Sequence, residues 1–433
     1  MKFKEFTMDN QSGFKACVEV SREWEGRSVA RELVEKIKSK VSDPKFILLF
    51  TTIDYKNEFD SMLSGIKESF PNSPLIGGTV AGFIAPQGCY TRGVVALALD
   101  YPNMDVTVGI GHNTKKNPKK AAQECAKAIK KGLKNSKRRS KFLYIVNSGV
   151  MIPQFPVIGQ KSVIRSKLAG KVMTMFSESL TKFQRGIGRE EELLEELVKL
   201  LPEYYIFGGS SYDNNKMVTN YQFFNDKVFT NVIVSIGISS DLKVSINTTY
   251  GLKETGIRFK ATKLGFDGRA IREINGKPAV EELLRIMKWP EEILNDRIHR
   301  VTYYTPIGFK KRGVLHPEVM GFFMGNNIIC GYKIEDPNLF LLSASGKSII
   351  DSVDKNLKAF RNKNNLIFFI TSCSVRLETI GNKIYKIHEK ILSHLKTTPF
   401  LLLYGAGEDV YIPDKGIYYH INEALNVASL YKE

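Results

Sequence analysis

The chain has few of the residues that staple a fold or hold a metal. Its five cysteines, Cys17, Cys89, Cys125, Cys330 and Cys373, are scattered, odd in number and never spaced C-x-x-C. That pattern excludes a disulfide framework and a thiolate metal site. The six histidines are equally dispersed; His388 and His394 stand six residues apart and do not stack on one helical face. No structural metal is expected. Long apolar runs are missing too: "FILLF" at 46–50, "LIFFI" at 366–370 and "FLLL" at 400–403 fall far short of the roughly 18 to 20 residues of a membrane span. The N-terminal "MKFKEFTMDNQSG" lacks the apolar centre of a secretory signal, so a cytoplasmic protein is expected. No G-x-G-x-x-G opens a helix and no G-x-x-x-x-G-K-[ST] occurs, so the nucleotide-binding fingerprints are absent and no cofactor is expected.

What is present is positive charge and a large apolar fraction. Lys and Arg number 63 against 45 Asp and Glu, a net charge of +18, and 43% of the 433 residues are hydrophobic. The length implies two or three domains, and the apolar content supports sizeable cores. The charge raises the question of nucleic acid or an acidic surface as partner. Its densest block, "KAIKKGLKNSKRRSK" at 127–141, ends one helix and leads to the next strand. Lysines there complement a helix dipole and sit in water. The block lacks interleaved aromatics on which bases would stack, so it reads as solvated surface rather than a nucleic-acid site.

Periodicity divides the chain into similar units. "FKACVEVSRE" (14–23) alternates like a strand, and "GRSVARELVEKIKSK" (26–40) carries Val29, Leu33 and Ile37 at helical spacing. The buried-type strand "FILLFTT" (46–52), a helix around 56–69 and "LIGGTVAG" (75–82) follow, then two hairpin-like strands, "GVVALAL" (93–99) and "DVTVGIG" (105–111). The second of these restarts the pattern: helix 118–133, strand "FLYIVNSG" (142–149), a long excursion, helix 189–201, "IFGGSSYDN" (206–214), and the strands "NVIVSIGI" (231–238) and "KVSINTTYG" (243–251). This reads as an internal duplication. A third, degenerate copy is expected from "LFLLSASG" (339–346) through helices 347–360 and 383–395 and strand "LIFFITSC" (366–373) to "FLLLYGAGED" (400–409). Between the second and third copies, 268–284 reads as strand, Asn-Gly turn and helix entered through Pro278, and 313–334 as paired strands around Asn326-Asn327. The expected fold class is α/β, repeated β-α-β-α-β units forming mixed sheets flanked by helices, in two domains, 1–251 and 252–433.

The pairs Gly77-Gly78 and Gly208-Gly209, with Gly-Ala-Gly at 405–407 in the third copy, are placed where a buried strand leaves its sheet and passes close to another backbone, which a Cβ would obstruct. They either hold a tight turn or leave bare backbone at strand ends for a ligand to approach.

Taken in order, "GGTVAG", "GGSSYDN" and "YQFFNDKVFTNVIVSIGI", then "REINGKPAVEELL", "SCSVR" (372–376), "YGAGED" (404–409) and "HINEA" (420–424) resemble the FIST (F-box and intracellular signal transduction) family over roughly 45–430, its N-terminal part first and its C-terminal part after. The resemblance implies a sensory module, not an enzyme. It implies a small ligand, amino acids being the usual suggestion, and output through a separate signalling partner. The 44 residues before the match look like the opening strand and helix of the first copy, not an F-box. The family's Cys-x-x-Arg element corresponds to Cys373 and Arg376, and its Gly-Glu pair to Gly407 and Glu408. Asp213 and Asn422 enter as site residues through the resemblance alone, and an Asx turn would explain Asp213 equally well. The excursion at 150–188 and "INEALNVA" in place of a Thr-rich stretch depart from the family pattern.

An amino-acid ligand requires two complementary charges. Arg376 could hold its carboxylate and Glu408 its ammonium, unless the two pair with each other or with solvent. An alternative is a cysteine-dependent hydrolase or transferase using Cys373, with His388 or His420 as base. Against it, a cysteine at a strand end commonly fills space as a small hydrophobe.

Overall fold

The computed structural model describes residues 13–152, 161–172, 175, 188–214, 216–265, 267–295, 297–311 and 313–433. No helix among them is long and apolar enough to cross a membrane. The chain opens with β1 (Lys15–Ser21), α1 (Gly26–Lys38), β2 (Phe46–Thr51), α2 (Phe59–Ser69), β3 (Leu75–Thr79), the hairpin β4 (Gly82–Ala85) and β5 (Gly88–Tyr90), and β6 (Val94–Asp100). The same succession returns as β7 (Met104–His112), α3 (Pro118–Gly132), β8 (Ser140–Ser148), the short β9 (Val163–Ile164), α4 (Glu190–Leu200), β10 (Tyr205–Ser211), the hairpin β11 (Gln222–Phe224) and β12 (Lys227–Phe229), and β13 (Val232–Ser240). The next strand is β14 (Lys243–Tyr250). It is followed by β15 (Leu252–Gly265), β16 (Ala270–Ile274), β17 (Lys277–Pro278), α5 (Ala279–Met287), α6 (His299–Thr302), β18 (Ile307–Lys311), β19 (Val314–Glu318), β20 (Met320–Met324), β21 (Asn327–Cys330) and β22 (Asn338–Ala344). The chain closes with α7 (Gly346–Leu357), β23 (Asn364–Cys373), α8 (Ser374–Ile380), α9 (Ile384–Leu395), β24 (Phe400–Gly405), the hairpin β25 (Glu408–Ile412) and β26 (Ile417–Ile421), and β27 (Ala424–Lys432).

Three six-stranded sheets share one plan. Their orders are β1-β6-β2-β3-β11-β12, β7-β13-β8-β10-β25-β26 and β14-β27-β23-β24-β4-β5. Each centres on a parallel pair, β2/β3, β8/β10 or β23/β24. An antiparallel strand lies on one side of that pair and a hairpin on the other, and every hairpin comes from a different part of the chain than the strand it joins. β4 adds to β24, β11 to β3 and β25 to β10. The exchange closes a cycle, first stretch to third sheet, second to first, third to second, so no sheet completes itself from its own segment.

Alternation along the central strands explains their fully apolar composition. On β2, Phe46, Leu48 and Phe50 face a core shared by all three sheets, while Ile47 and Leu49 face α1 and α2. On β8, Phe142, Tyr144 and Val146 point to the shared core and Leu143 and Ile145 to α3 and α4. On β23, Ile367 and Phe369 point in, and Phe368 and Ile370 meet α7 and α9. Period-two alternation with both faces covered gives a continuous hydrophobic run, and each such side chain contributes roughly 1.5–3 kcal/mol by leaving water.

The geometry corrects three sequence expectations. The strands at 93–99 and 105–111 are not a hairpin: β6 pairs with β1 and β2, whereas β7 pairs with β13 in the next sheet. The stretch 339–346 does not open the third six-stranded sheet, because β22 pairs with β15 and β18 elsewhere, and β14, paired with β27, occupies that edge. The Gly pairs lie inside β3 and β10, not at their exits. A Cβ on Gly77 would stand 1.6 Å from the Leu49 carbonyl oxygen and one on Gly208 2.0 Å from that of Ile145, so the first glycine admits the parallel neighbour. A Cβ on Gly78 would stand 2.5 Å from the Tyr221 oxygen and one on Gly209 2.5 Å from that of Gly407, so the second admits the incoming hairpin.

Residues 252–344, joined by β9, build a further nine-stranded sheet, β19-β18-β22-β15-β16-β21-β20-β9 with β17 on β16. The Asn-Gly turn is present, with Asn275 and Gly276 both at left-handed φ, 51° and 77°, while the β20–β21 turn is Gly325-Asn326, one residue earlier than expected. Pro278 is the N-cap of α5 rather than part of its first turn. β9, from the 150–188 excursion, pairs with β20; 153–160 and 173–187 apart from 175 lie outside the described residues. The nine-stranded sheet is tied to the N-terminus of α4 by Arg269, buried at 3% exposure, which bonds to Glu191 and, at 3.2 Å, to Glu192.

Candidate functional site

Where β19–β21 of the nine-stranded sheet approach the start of α8 and the β25–β26 hairpin, they leave a cavity of about 70 Å³. Tyr212, Tyr303, Phe322 and Tyr332 supply aromatic wall, Met217, Val319 and Val375 aliphatic wall, and Glu190, Glu318, His299, His420, Ser374 and Asn422 its polar groups. An apolar pocket with a few convergent polar groups is the usual form of a small-molecule site.

Glu318, the last residue of β19, is fully buried. Its Oε1 accepts from the Gly331 N–H at 2.5 Å, and Oε2 has no partner. Burial, with a smaller push from Glu191, raises this carboxyl to about 8, against the pull of the Gly331 and Tyr332 N–H groups and of His420. His420 on β26 faces Asp409 on β25 because the two are cross-strand partners, and its Nδ1 lies 2.8 Å from Asp409 Oδ1. Burial disfavours the imidazolium, but the Asp409 carboxylate outweighs it and lifts His420 to about 10. Asp409 is fixed in turn by Asn147 Nδ2, which donates to Oδ2 at 2.7 Å.

Cys373 and Asn422 both line the cavity. The thiol is 2% exposed, packs with Tyr303 and Val375, and is pushed well above its ordinary pKa by burial and by Glu408 and Glu423. His388 sits elsewhere, with Nε2 3.2 Å from the Pro86 oxygen, and a His420 held protonated accepts no proton. Neither imidazole forms the thiolate–base pair that the hydrolase alternative needs.

Arg376 does not face the cavity. Fully buried on α8, its guanidinium donates to Ser372 Oγ (3.2 Å), Ser352 Oγ (2.8 Å), the Glu423 oxygen (3.3 Å) and the Ile349 oxygen (3.4 Å). It ties α8 to α7 and to the β26–β27 turn, and those bonds occupy the fork that was to clamp a carboxylate. Glu408 lies across from Gly209 in the β10–β25 ladder and, with Gly209, Gly405 and Gly407, lines a second, smaller space of about 20 Å³ among the three sheets. Both its carboxylate oxygens lack partners, and burial raises its pKa well above the ordinary value.

The remaining candidates are structural in their contacts. Asp213 accepts from the backbone N–H of Met217 (2.7 Å), Val218 (2.6 Å) and Thr219 (2.8 Å), the Asx-type cap, and so positions Met217 on the cavity wall. Gly77, Gly78 and Gly208 line neither space. A Cβ on Gly407 would come 2.7 Å from the His420 ring, so that glycine seats the imidazole. Of the basic block, Lys137, Arg138, Arg139 and Lys141 border an open groove with Lys243, Lys363 and Lys415, and Arg138 and Lys141 pair with Asp105 (3.4 Å) and Glu203 (3.1 Å). Among the described residues no group of three His, Cys, Asp or Glu is placed to hold a metal ion.

Glu318 and Glu190 were missed from sequence. The signal for Glu318 was present: in "GVLHPEVMGFFMGNNIICGYKI" it is the one acidic residue of an otherwise apolar strand pair.

Compared with known proteins, residues 45–277 match the model of the FIST N domain. No curated protein matches the chain. Among solved structures, the cyanuric acid hydrolase from A. caulinodans is 8% identical over 97% of this chain and 100% of its own, with a TM-score of 0.31, a similarity too slight to bear on chemistry.

Proposed function

Because this chain belongs to the FIST family, whose domain is a signal-transduction sensory domain, we propose that it senses a small molecule held in the cavity between the nine-stranded sheet and the β25–β26 hairpin. The observation that carries this reading is Glu318 Oε2, a fully buried carboxylate oxygen without a partner on the wall of an otherwise largely apolar cavity. Buried polar atoms are nearly always paired, so an unpaired carboxyl oxygen on a cavity wall is best explained by a ligand that completes it. The ligand class suggested by the resemblance, an amino acid, fits in kind: Glu318 and Glu190 face its ammonium, and Asn422 and the imidazolium of His420 face its carboxylate.

In this reading residues 1–251 are the FIST N-like domain, with an internal duplication that the shared plan of the sheets supports, and 252–433 the FIST C-like domain. The cavity draws on both. Occupancy ties the nine-stranded sheet to α8 and the β25–β26 hairpin, and a cytoplasmic partner protein reads the resulting surface. The test is a thermal-shift screen across amino acids, amines, nucleotides and organic acids. A ligand at one hundred times its Kd adds about 2.7 kcal/mol of stability, so one chemical class is expected to raise the melting temperature and the others not. A flat response across all classes refutes the reading.

A further inference from the structure

The charged groups that face the cavity are unevenly signed. Two acidic residues, Glu190 and Glu318, line it, and among the described residues no lysine or arginine does, although the chain as a whole carries +18. The His420 imidazole is held protonated by Asp409, which lies against it at 2.8 Å. The groups around Glu318 are the Gly331 N–H, Cys330 and Tyr332 from β21 and the residues after it, His316 on its own strand, His420 on β26, Glu190 and Glu191 on α4, and the Asn422 amide. None of these satisfies Oε2. A group that fills this position with Glu318 ionised donates a hydrogen bond, is favoured by positive charge and tolerates aromatic faces, here Tyr212, Tyr303, Phe322 and Tyr332. An ammonium does all three, since it donates to a carboxylate and is attracted by aromatic rings. A ligand carboxylate gains far less: Arg376, the residue with the right fork, is turned away and bonded elsewhere.

We propose that the site selects the ammonium of a small primary amine, with Glu318 as its acceptor, so that decarboxylated amino acids bind at least as tightly as the amino acids themselves. This rests on the reading of the cavity as the ligand site. Arrival of the cation also displaces a proton. In the empty site Glu318 holds its proton up to about 8; the ammonium pairs with the carboxylate, and the proton passes to solvent. Affinity for the amine therefore rises up to about tenfold per pH unit below pH 8 and levels off above it.

The experiment titrates the full-length protein calorimetrically with tyramine, phenethylamine and isoamylamine, each beside tyrosine, phenylalanine or leucine and beside the matching deaminated acid. Titrations run in two buffers of different ionisation enthalpy at several pH values between 6 and 9. The expected result is binding of at least one amine as tight as or tighter than its parent amino acid, no binding of the acids, release of up to one proton near pH 7, and at least a tenfold loss in Glu318→Gln. Comparison of the three ligand classes on the wild-type protein needs no variant. Amino acids that bind well with their amines binding ten times more weakly overturn the proposal but leave the sensory reading intact. Amine binding unchanged in Glu318→Gln also overturns it. Absence of binding by every compound, in the thermal screen as well, overturns both.

Discussion

Glu423 offers a test of the buried electrostatics that does not involve a ligand. It sits at left-handed φ (59°) in the turn between β26 and β27, is 1% exposed, and has no partner on either carboxylate oxygen. Burial raises its pKa from 4.5 to about 8, outweighing the attraction of Arg376. Because the folded value lies above the unfolded one, the stability this group contributes is complete below pH 4.5 and is lost as pH rises through 8. The span is 8 − 4.5 = 3.5 units, which at ~1.4 kcal/mol per unit sets a ceiling of ~5 kcal/mol. Glu423→Gln keeps a neutral group of the same shape, and the Arg376 bond to the Glu423 backbone oxygen is unaffected. Urea denaturation of both proteins from pH 4 to 9 is the assay. Any fixed cost of housing the amide cancels in the difference, which should grow in favour of the variant by up to ~1.4 kcal/mol per pH unit between 4.5 and 8 and then flatten. A difference that does not change with pH refutes the assignment of a buried, neutral carboxyl.

Two further outcomes follow from contacts. Gly209→Ala places a Cβ 2.5 Å from the Gly407 backbone oxygen, where neither strand can yield without loosening the β10–β25 ladder, so a loss of roughly 1–3 kcal/mol is expected in denaturant unfolding; a neutral effect would contradict the hairpin exchange. Cys373→Ala should leave no hydrolytic activity to lose, because the thiol is held protonated and 2% exposed. Ester hydrolysis by the wild-type protein that vanishes in the variant would contradict the sensory reading.

The strands and helices were legible because both-face burial writes itself as runs such as "FILLF" and because Val29, Leu33 and Ile37 mark one helical face. The similarity of the first two segments was legible for the same reason. Partner choice was not. Whether β6 pairs with β7 or with β1 depends on contacts across the whole chain, and no local pattern announces that β4 leaves for β24. The site divides the same way. Cys373 and Asn422 were found from motif and do line the cavity. Arg376 was chosen for its charge, yet Ser352, Ser372 and the Glu423 oxygen, brought to it by folding, decide that it acts as a strut. Glu318 stood in plain view, but a single acid in a strand reads as an exposed face until the strand is seen to be covered.

The central claim, that the cavity holds the ligand, is tested most directly by filling it. Gly321 on β20 lines the cavity, and a Cβ there meets nothing within 4 Å, so the side chain of Gly321→Phe leaves the backbone into open space. For whichever compound raises the melting temperature of the wild-type protein, the account predicts that this variant melts unchanged alone and loses the ligand-induced rise. A variant that folds normally and keeps the full rise would show that the ligand binds elsewhere.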